Sequence, residues 1–157
     1  MCYDKIMIKL NDINIFDCPA QGIIHQANCQ NTMGSGIAKQ IREKYPEAYE
    51  ADCRTVRGDR LKLGSFSWVN ARDGKYIYNC YSQYYYGRDQ RQTNYEAVYT
   101  GLRAILGHAE SKGLTSLSLP YKMGCMLGGG NWKIVNAIIE DLFENSPMEL
   151  YICRYEP

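Results

Sequence analysis

The stretch IIHQANCQNTMGSGIAKQI, residues 23–41, decides how the chain is built. Residues 22–27 (GIIHQA) form a short, mostly apolar run that reads as a buried strand. Residues 35–45 read as a helix, with Ile37, Ala38 and Ile41 on one face. Between them stand Gly34 and Gly36, one residue apart. Small residues where a helix begins let a large polar group come close to the backbone. The unpaired N–H groups and partial positive charge of a helix N-terminus favour an anion there.

The rest of the chain repeats this alternation. KIMIKL (5–10) reads as a strand by its period of two. Pro46 ends the first helix and starts a second, running to about Arg57. SFSWVNA (65–71) and KYIYNCYS (75–82) are strands around Arg72-Asp73-Gly74, a strong hairpin signal. Thr93 and Glu96 have capping-box spacing and place a helix over 94–112, with Gly113 as its stop. TSLSLP (115–120) is a strand closed by Pro120. NWKIVNAIIEDLFEN (131–145) is a helix whose apolar stripe is Ile134, Val135, Ile138, Ile139 and Leu142. MELYICRY (148–155) is the last strand. Such alternation predicts an α/β fold of three layers, α/β/α, around a central mixed sheet of about six strands. The 157 residues suit one domain spanning 1–157.

Composition excludes several classes. The net charge of +1 shows neither a basic nucleic-acid footprint nor an acidic tail. No apolar run approaches the roughly 20 residues needed to cross a bilayer. MCYDKIMIKLND lacks the pattern of a signal peptide. The seven cysteines are odd in number and widely spaced without C-x-x-C, which points to free thiols in a reducing cytosol and to no metal site. The expected location is therefore cytoplasmic.

In such folds a ligand sits beyond the carboxyl ends of the strands. Three polar or glycine-rich segments fall there: QANCQNTMGSG (26–36), CYSQYYYG (80–87) and YKMGCMLGGGNW (121–132). Two of them run straight into a helix N-terminus. GSGIAK is not G-x-G-x-x-G, since Lys39 stands where the third glycine belongs, and no Walker A lysine follows either loop. Taken singly, the glycines are turns and caps. Facing each other across one crevice, two such loops suit a diphosphate.

Asn-Asp-Ile at 11–13, IIHQANCQNTMGSGIAKQI and LPYKMGCMLGGGNWKIV together resemble the macrodomain, the ADP-ribose-binding fold, over nearly the whole chain. The likeness is nearest to the branch of terminal ADP-ribose glycohydrolases and of phage and bacterial ADP-ribose-1″-phosphate processing proteins. It implies that Met33, Gly34, Ser35, Gly36 and Ile37 wrap the diphosphate and distal ribose. It implies that Asp12 accepts from the adenine amino group, with a backbone contact from Ile13 beside it. On spacing alone Asp12 is equally a turn residue after the first strand. Gly124, Cys125, Met126, Leu127, Gly128, Gly129 and Gly130 would form the opposite wall, with Asn131 capping the helix behind it. Ser82 and Gln83 would complete the site from the tyrosine-rich segment.

The resemblance also carries a departure. Hydrolases of this branch use a lysine before the tyrosine-rich segment and an aspartate in the late glycine loop. Those positions fall here on Gln83 and Gly128, neither of which can act as acid or base. Asn28, at the family's asparagine position, is one remaining catalytic candidate, and Gln83 stays another by its place at the lysine position. Asn28 would orient a water or hold the ribose hydroxyls, or else satisfy loop backbone. His25 is a further candidate, against its reading as a satisfied core histidine. His108 reads as a surface residue. Within Tyr84-Tyr85-Tyr86 an aromatic could cover the ligand or pack on the domain edge, and Arg88 or Arg91 could meet an added phosphate. Aromatics without an interleaved basic stripe do not form an RNA-recognition signature.

Two functions follow from the resemblance. One is hydrolysis of a group at C1″, either as an ADP-ribose-1″-phosphate phosphatase or as an ADP-ribosyl hydrolase. The other is non-catalytic binding or sequestration of ADP-ribose or a related cyclic nucleotide. The implied partner is ADP-ribose or a derivative, free or carried by protein or nucleic acid. No membrane and no cofactor are implied, and the expected state is a monomer.

Overall fold

A computed structural model describes residues 8–155. Six strands, β1 (Ile8–Asp12), β2 (Gly22–Ala27), β3 (Phe66–Asn70), β4 (Tyr76–Tyr81), β5 (Ser116–Pro120) and β6 (Glu149–Arg154), alternate with four helices, α1 (Gly36–Lys44), α2 (Pro46–Cys53), α3 (Tyr95–Ser111) and α4 (Trp132–Phe143). The sheet order is β1-β6-β5-β2-β4-β3. All neighbours are parallel except β3 and β4, which form the hairpin expected at Asp73-Gly74. From β2 the chain moves outward to β3 and β4, and α3 then carries it back to β5 on the other side. The order thus reverses around β2, and the carboxyl ends of β2, β4 and β5 share one edge of the sheet.

Helices cover both faces. Ile24, Tyr78, Leu117 and Leu119 pack under α3 and α4 with Leu102, Ile105, Val135, Ile139 and Phe143. Ile23, Ile77 and Cys153 pack under α1 and α2 with Ile41, Tyr45 and Ala48. The alternation of β2 and β4 between two buried faces explains why both strands are apolar almost throughout. Gly101 lets α3 lie against β4, since a Cβ there would sit 2.7 Å from Cys80 Sγ.

Several boundaries differ from those the sequence suggests. Of the strand read over 5–10, residues 5–7 lie outside the described residues, as does Cys2, and pairing continues to Asp12. The second helix ends at Cys53 rather than near Arg57. Asn94, not Thr93, caps α3, its Oδ1 accepting from the Ala97 amide at 2.9 Å. Thr93 turns inward instead. Asn131 caps α4 as expected, accepting from the Lys133 amide. The buried line of α4 is Val135, Ile139 and Phe143, which leaves Ile134 41% exposed. His108 is not free on the surface. Its Nδ1 lies 2.9 Å from the Tyr78 hydroxyl and its ring packs on Trp68. The six cysteines among the described residues carry free thiols. Among these residues no helix is long and apolar enough to cross a membrane.

Candidate functional site

A cleft of about 750 Å³ opens at the carboxyl ends of β2, β4 and β5. One wall is the loop from β2 into α1, with Asn28, Met33, Gly34, Ser35, Gly36, Ile37 and Ala38. The other is the loop after β5, with Tyr121, Lys122, Met123, Gly124, Met126, Leu127 and Gly128. Gln26 and Gln83 form its floor, and Tyr86, Gly87 and Arg88 stand at one end. The walls meet where Leu127 Cδ1 lies 3.0 Å from the place a Cβ on Gly36 would take. Asn31, Met33 and Lys122 hold positive φ without being glycine, and all three lie in these two loops. Local backbone strain of this kind gathers at ligand-binding loops.

The α1 N-terminus is built to leave donors available. Its N-cap, Ser35, makes no side-chain capping bond. The first-turn residues Gly36, Ile37 and Ala38 line the cleft, so their uncapped amides and the partial positive charge there are available to a bound group. Met33, 2% exposed, anchors the loop in the core beneath α1.

The floor is a network of neutral groups. Gln26 Nε2 donates to Gln83 Oε1 at 2.7 Å and to Thr93 Oγ1 at 2.9 Å. Ser82 Oγ donates to Gln26 Oε1 at 2.7 Å. Thr93 Oγ1 donates to the Gly124 carbonyl at 2.6 Å. Gln83 Nε2 donates to the Tyr85 carbonyl at 2.7 Å. One side chain near the end of β2, directly and through Thr93, thereby ties that strand to the loops that follow β4 and β5. Thr93 also fills the space beside Gly128, because a Cβ at that glycine would lie 2.4 Å from Thr93 Oγ1 and 2.8 Å from Gln26 Nε2.

Asn28 folds its own loop. Its Nδ2 donates to Thr32 Oγ1 at 2.7 Å and its Oδ1 accepts from the Gln30 amide at 2.8 Å. Asn28 and Gln83 each use one amide N–H in these bonds, so each amide keeps a second N–H at the cleft surface.

The structure corrects the reading of His25 as a catalytic base. The strand alternation sends Gln26 to the cleft and His25 to the opposite face, under α2. There the ring is fully buried and its Nε2 lies 2.6 Å from Asn79 Oδ1. An amide oxygen can only accept, so Nε2 carries the proton. Burial pulls the imidazole pKa down to about 4, which keeps the ring neutral. Asn79 continues to Ser67 Oγ and the Ala48 carbonyl, and Ser67 to the Tyr81 hydroxyl, which donates to Asp52 Oδ1 at 2.6 Å. Burial raises the Asp52 carboxyl above its usual range. This chain of polar groups holds α2 to the sheet and does not reach the cleft.

Other candidates fall outside the main cleft. Ser82 is buried beneath Gln26. Cys125 turns toward the core and packs against it. Gly129 and Gly130 lie behind the wall, where the Gly130 amide donates to the Gly124 carbonyl at 2.8 Å. Asp12 ends β1 with its carboxylate 3.2 Å from Arg154 Nε, and Ile13 follows it. A second, smaller cleft of about 290 Å³ lies on that side, lined by Asn14, Gln40, Tyr121 and Arg154 among others. Ile37, Tyr121, Lys122 and Met126 border both clefts, which therefore adjoin. Tyr84 is structural, its hydroxyl donating to the Gly58 carbonyl, whereas Tyr86 and Arg88 line the cleft. Arg91 lies over the Tyr95 ring, 4.6 Å from its centroid.

Gln26, Thr93 and Lys122 went unread as site residues in the sequence. The signal was present for Gln26: a polar residue closing a strand buried on both faces needs buried partners. Thr93 matched a helix cap, and nothing local separates that use from its actual one.

The Macro domain family model matches residues 24–139, and the chain belongs to that family. It is 32% identical over 150 residues to an uncharacterized 17.5 kDa protein in the tk-vs intergenic region of Enterobacteria phage T4, covering 93% of this chain and 94% of that protein. It is 30% identical over 140 residues to the ADP-ribose glycohydrolase OARD1 of Bos taurus, covering 88% of this chain and 86% of that protein. Among solved structures it resembles the macrodomain of Mycobacterium tuberculosis DarG with a TM-score of 0.77 at 22% identity, covering 96% of this chain and 98% of that one.

Proposed function

We propose that the chain, working as a single macrodomain, binds ADP-ribose and hydrolyses a group attached at its C1″. The observation that carries the binding half is the pair of glycine loops facing each other across one cleft, with the uncapped α1 N-terminus aimed between them. A diphosphate there receives backbone N–H groups from both walls. The smaller cleft, beside Asp12 and Ile13, takes the adenine, whose amino group donates to the Asp12 carboxylate. The distal ribose then lies over Gln83 and Asn28, whose second N–H groups meet its hydroxyls.

Hydrolysis adds a water oxygen to C1″ while the bond from C1″ to its substituent breaks, and the substituent leaves with a proton. Among the described residues no carboxylate and no histidine lines the cleft. The proton therefore passes through water or a phosphate oxygen of the ligand, and turnover is slow. The relation to an ADP-ribose glycohydrolase at 30% identity supports this reading.

The same neutral floor favours a second reading, a binder that holds ADP-ribose or a related cyclic nucleotide without cleaving it. Calorimetry with ADP-ribose and phosphorus NMR with ADP-ribose-1″-phosphate separate the two. Binding with release of inorganic phosphate, lost in Asn28→Ala, supports the phosphatase form. Binding without release under any condition in which an ADP-ribosylated peptide or oligonucleotide also stays intact supports the binder. Absence of ADP-ribose binding would sink both.

A further inference from the structure

The loop that leaves β2 for α1 is held from behind. The Cys29 carbonyl accepts from the Gly58 amide at 2.7 Å and from Lys62 Nζ at 3.2 Å. The Asn31 carbonyl accepts from the Tyr49 hydroxyl at 3.0 Å, and the Thr32 carbonyl from the Arg42 guanidinium at 2.9 Å. That guanidinium also lies over the Tyr49 ring, 3.7 Å from its centroid. The three side chains come from α1, from α2 and from the turn before β3, and none of them lines the cleft.

Asn31 is the pivot of the loop. Its φ of 58° is left-handed, a conformation that asparagine adopts more readily than most residues. Both polar atoms of its side chain are bonded. Nδ2 donates to the Thr55 carbonyl at 3.0 Å, while Oδ1 accepts from Lys62 Nζ at 2.7 Å and from Thr55 Oγ1 at 3.3 Å. Lys62 is only 7% exposed, and its Nζ sits 4.8 Å from the Tyr81 ring centroid. Burial pulls its pKa down, and the nearby Asp52 carboxylate opposes that pull. An ammonium is costly to bury unless its donors are used. Lys62 spends its donors on Cys29 and Asn31, both in this one loop.

The geometry of the peptide group links this clamp to the cleft. Across a trans peptide the carbonyl and the next residue's N–H point in opposite directions. With the carbonyls of Asn31 and Thr32 drawn to the rear, the amides of Thr32 and Met33 turn to the other side, where Met33, Gly34 and Ser35 line the cleft. We infer that Lys62 is a positioning residue for this wall: with Tyr49 and Arg42 it draws the loop carbonyls away from the cleft and so presents the loop amides to an anionic ligand. Successive amides turned to one side make an anion-binding concavity. Without the clamp the same peptides are free to rotate and set carbonyl oxygens against the diphosphate. The inference rests on the proposed diphosphate site, since it concerns the wall that would hold it.

The test uses the full chain, with calorimetry on ADP-ribose and amide hydrogen exchange on the free protein. Lys62→Met keeps the reach of the side chain and removes the ammonium. It should weaken ADP-ribose binding about tenfold, the worth of one hydrogen bond from a charged donor. Exchange should quicken about tenfold at residues 30–34 and stay unchanged in β4 and β5, because the loop opens locally. A lysine that merely supports the fold would speed exchange in the strands as well. Tyr49→Phe removes only the hydroxyl that donates to the Asn31 carbonyl, and serves where Lys62→Met does not fold. Its affinity should fall about fivefold, the worth of a neutral hydrogen bond. Wild-type affinity in Lys62→Met, or in Tyr49→Phe where the lysine variant does not fold, overturns the inference. So does exchange that quickens in β4 and β5 in step with the loop. If the wild type binds no ADP-ribose, the cleft reading falls and the inference with it. If the wild type binds and the variants bind equally well, the inference alone falls.

Discussion

Gly128 stands where the resemblance places an aspartate, and the structure says what any side chain there would meet. Its backbone needs no left-handed φ, so the obstacle is space alone. A Cβ would lie 2.4 Å from Thr93 Oγ1, 2.8 Å from Gln26 Nε2 and 2.8 Å from the Gly124 carbonyl oxygen. Ordinary contact begins near 3.4 Å, so Gly128→Ala must push the Thr93 hydroxyl aside by about 1 Å. That displacement breaks the bonds from Thr93 to Gly124 and from Gln26 to Thr93. Two buried hydrogen bonds at about 1 kcal/mol each, with a further penalty for polar groups left unpaired, put the loss at about 2–4 kcal/mol of stability. Urea denaturation measures it. Because Gly124 is itself part of the cleft wall proposed to hold the diphosphate, ADP-ribose affinity should fall at least tenfold, about 1.4 kcal/mol. Thr93→Val keeps the volume and removes the hydroxyl, and should cost about 1–3 kcal/mol without the steric shift. Gly34→Ala is the stability control, since the nearest atom to its added methyl is 3.9 Å away. If Gly128→Ala matches the wild type in both urea midpoint and ADP-ribose affinity, the reasoning from the Gln26–Thr93 network fails.

Other outcomes follow from the same structure. His25 has a pKa of about 4 in the folded chain against 6.5 when unfolded, so the unfolded state takes up its proton first. The stability this ring contributes is complete above pH 6.5 and is lost as pH falls toward 4, by about 3 kcal/mol. His25→Gln should flatten the unfolding midpoint across that window, and an unchanged pH slope would count against a buried neutral ring. Gly101→Ala should destabilise by about 1–3 kcal/mol through its clash with Cys80 Sγ. In a thermal-denaturation double-mutant cycle, Cys80→Ala should recover part of that loss, and strict additivity would refute the contact. Asn94→Ala should cost about 1 kcal/mol by removing the α3 cap, whereas a Thr93 variant should show its larger effect in ligand affinity.

Strand and helix order, the hairpin at Asp73-Gly74 and the Asn131 cap were legible because each depends on neighbours in sequence. Period-two and period-3.6 patterns mark which side of an element is apolar, and Asp-Gly marks a turn by its own backbone preference. The two glycine loops were legible as a pair because an α/β alternation already places both beyond the same ends of the strands.

The sequence could not tell which of two adjacent polar residues, His25 and Gln26, faces the cleft. That depends on the sheet face to which β2 presents each, and both faces are buried. It also could not show that Thr93 leaves its helix to bind Gly124, thirty-one positions away. By itself the sequence determined most of the elements, their order and the two glycine loops that line the cleft, all of which follow from local periodicity and turn chemistry. Only the tertiary structure decided which polar atoms share the floor of the cleft, because packing brings together residues whose local chemistry says nothing of one another.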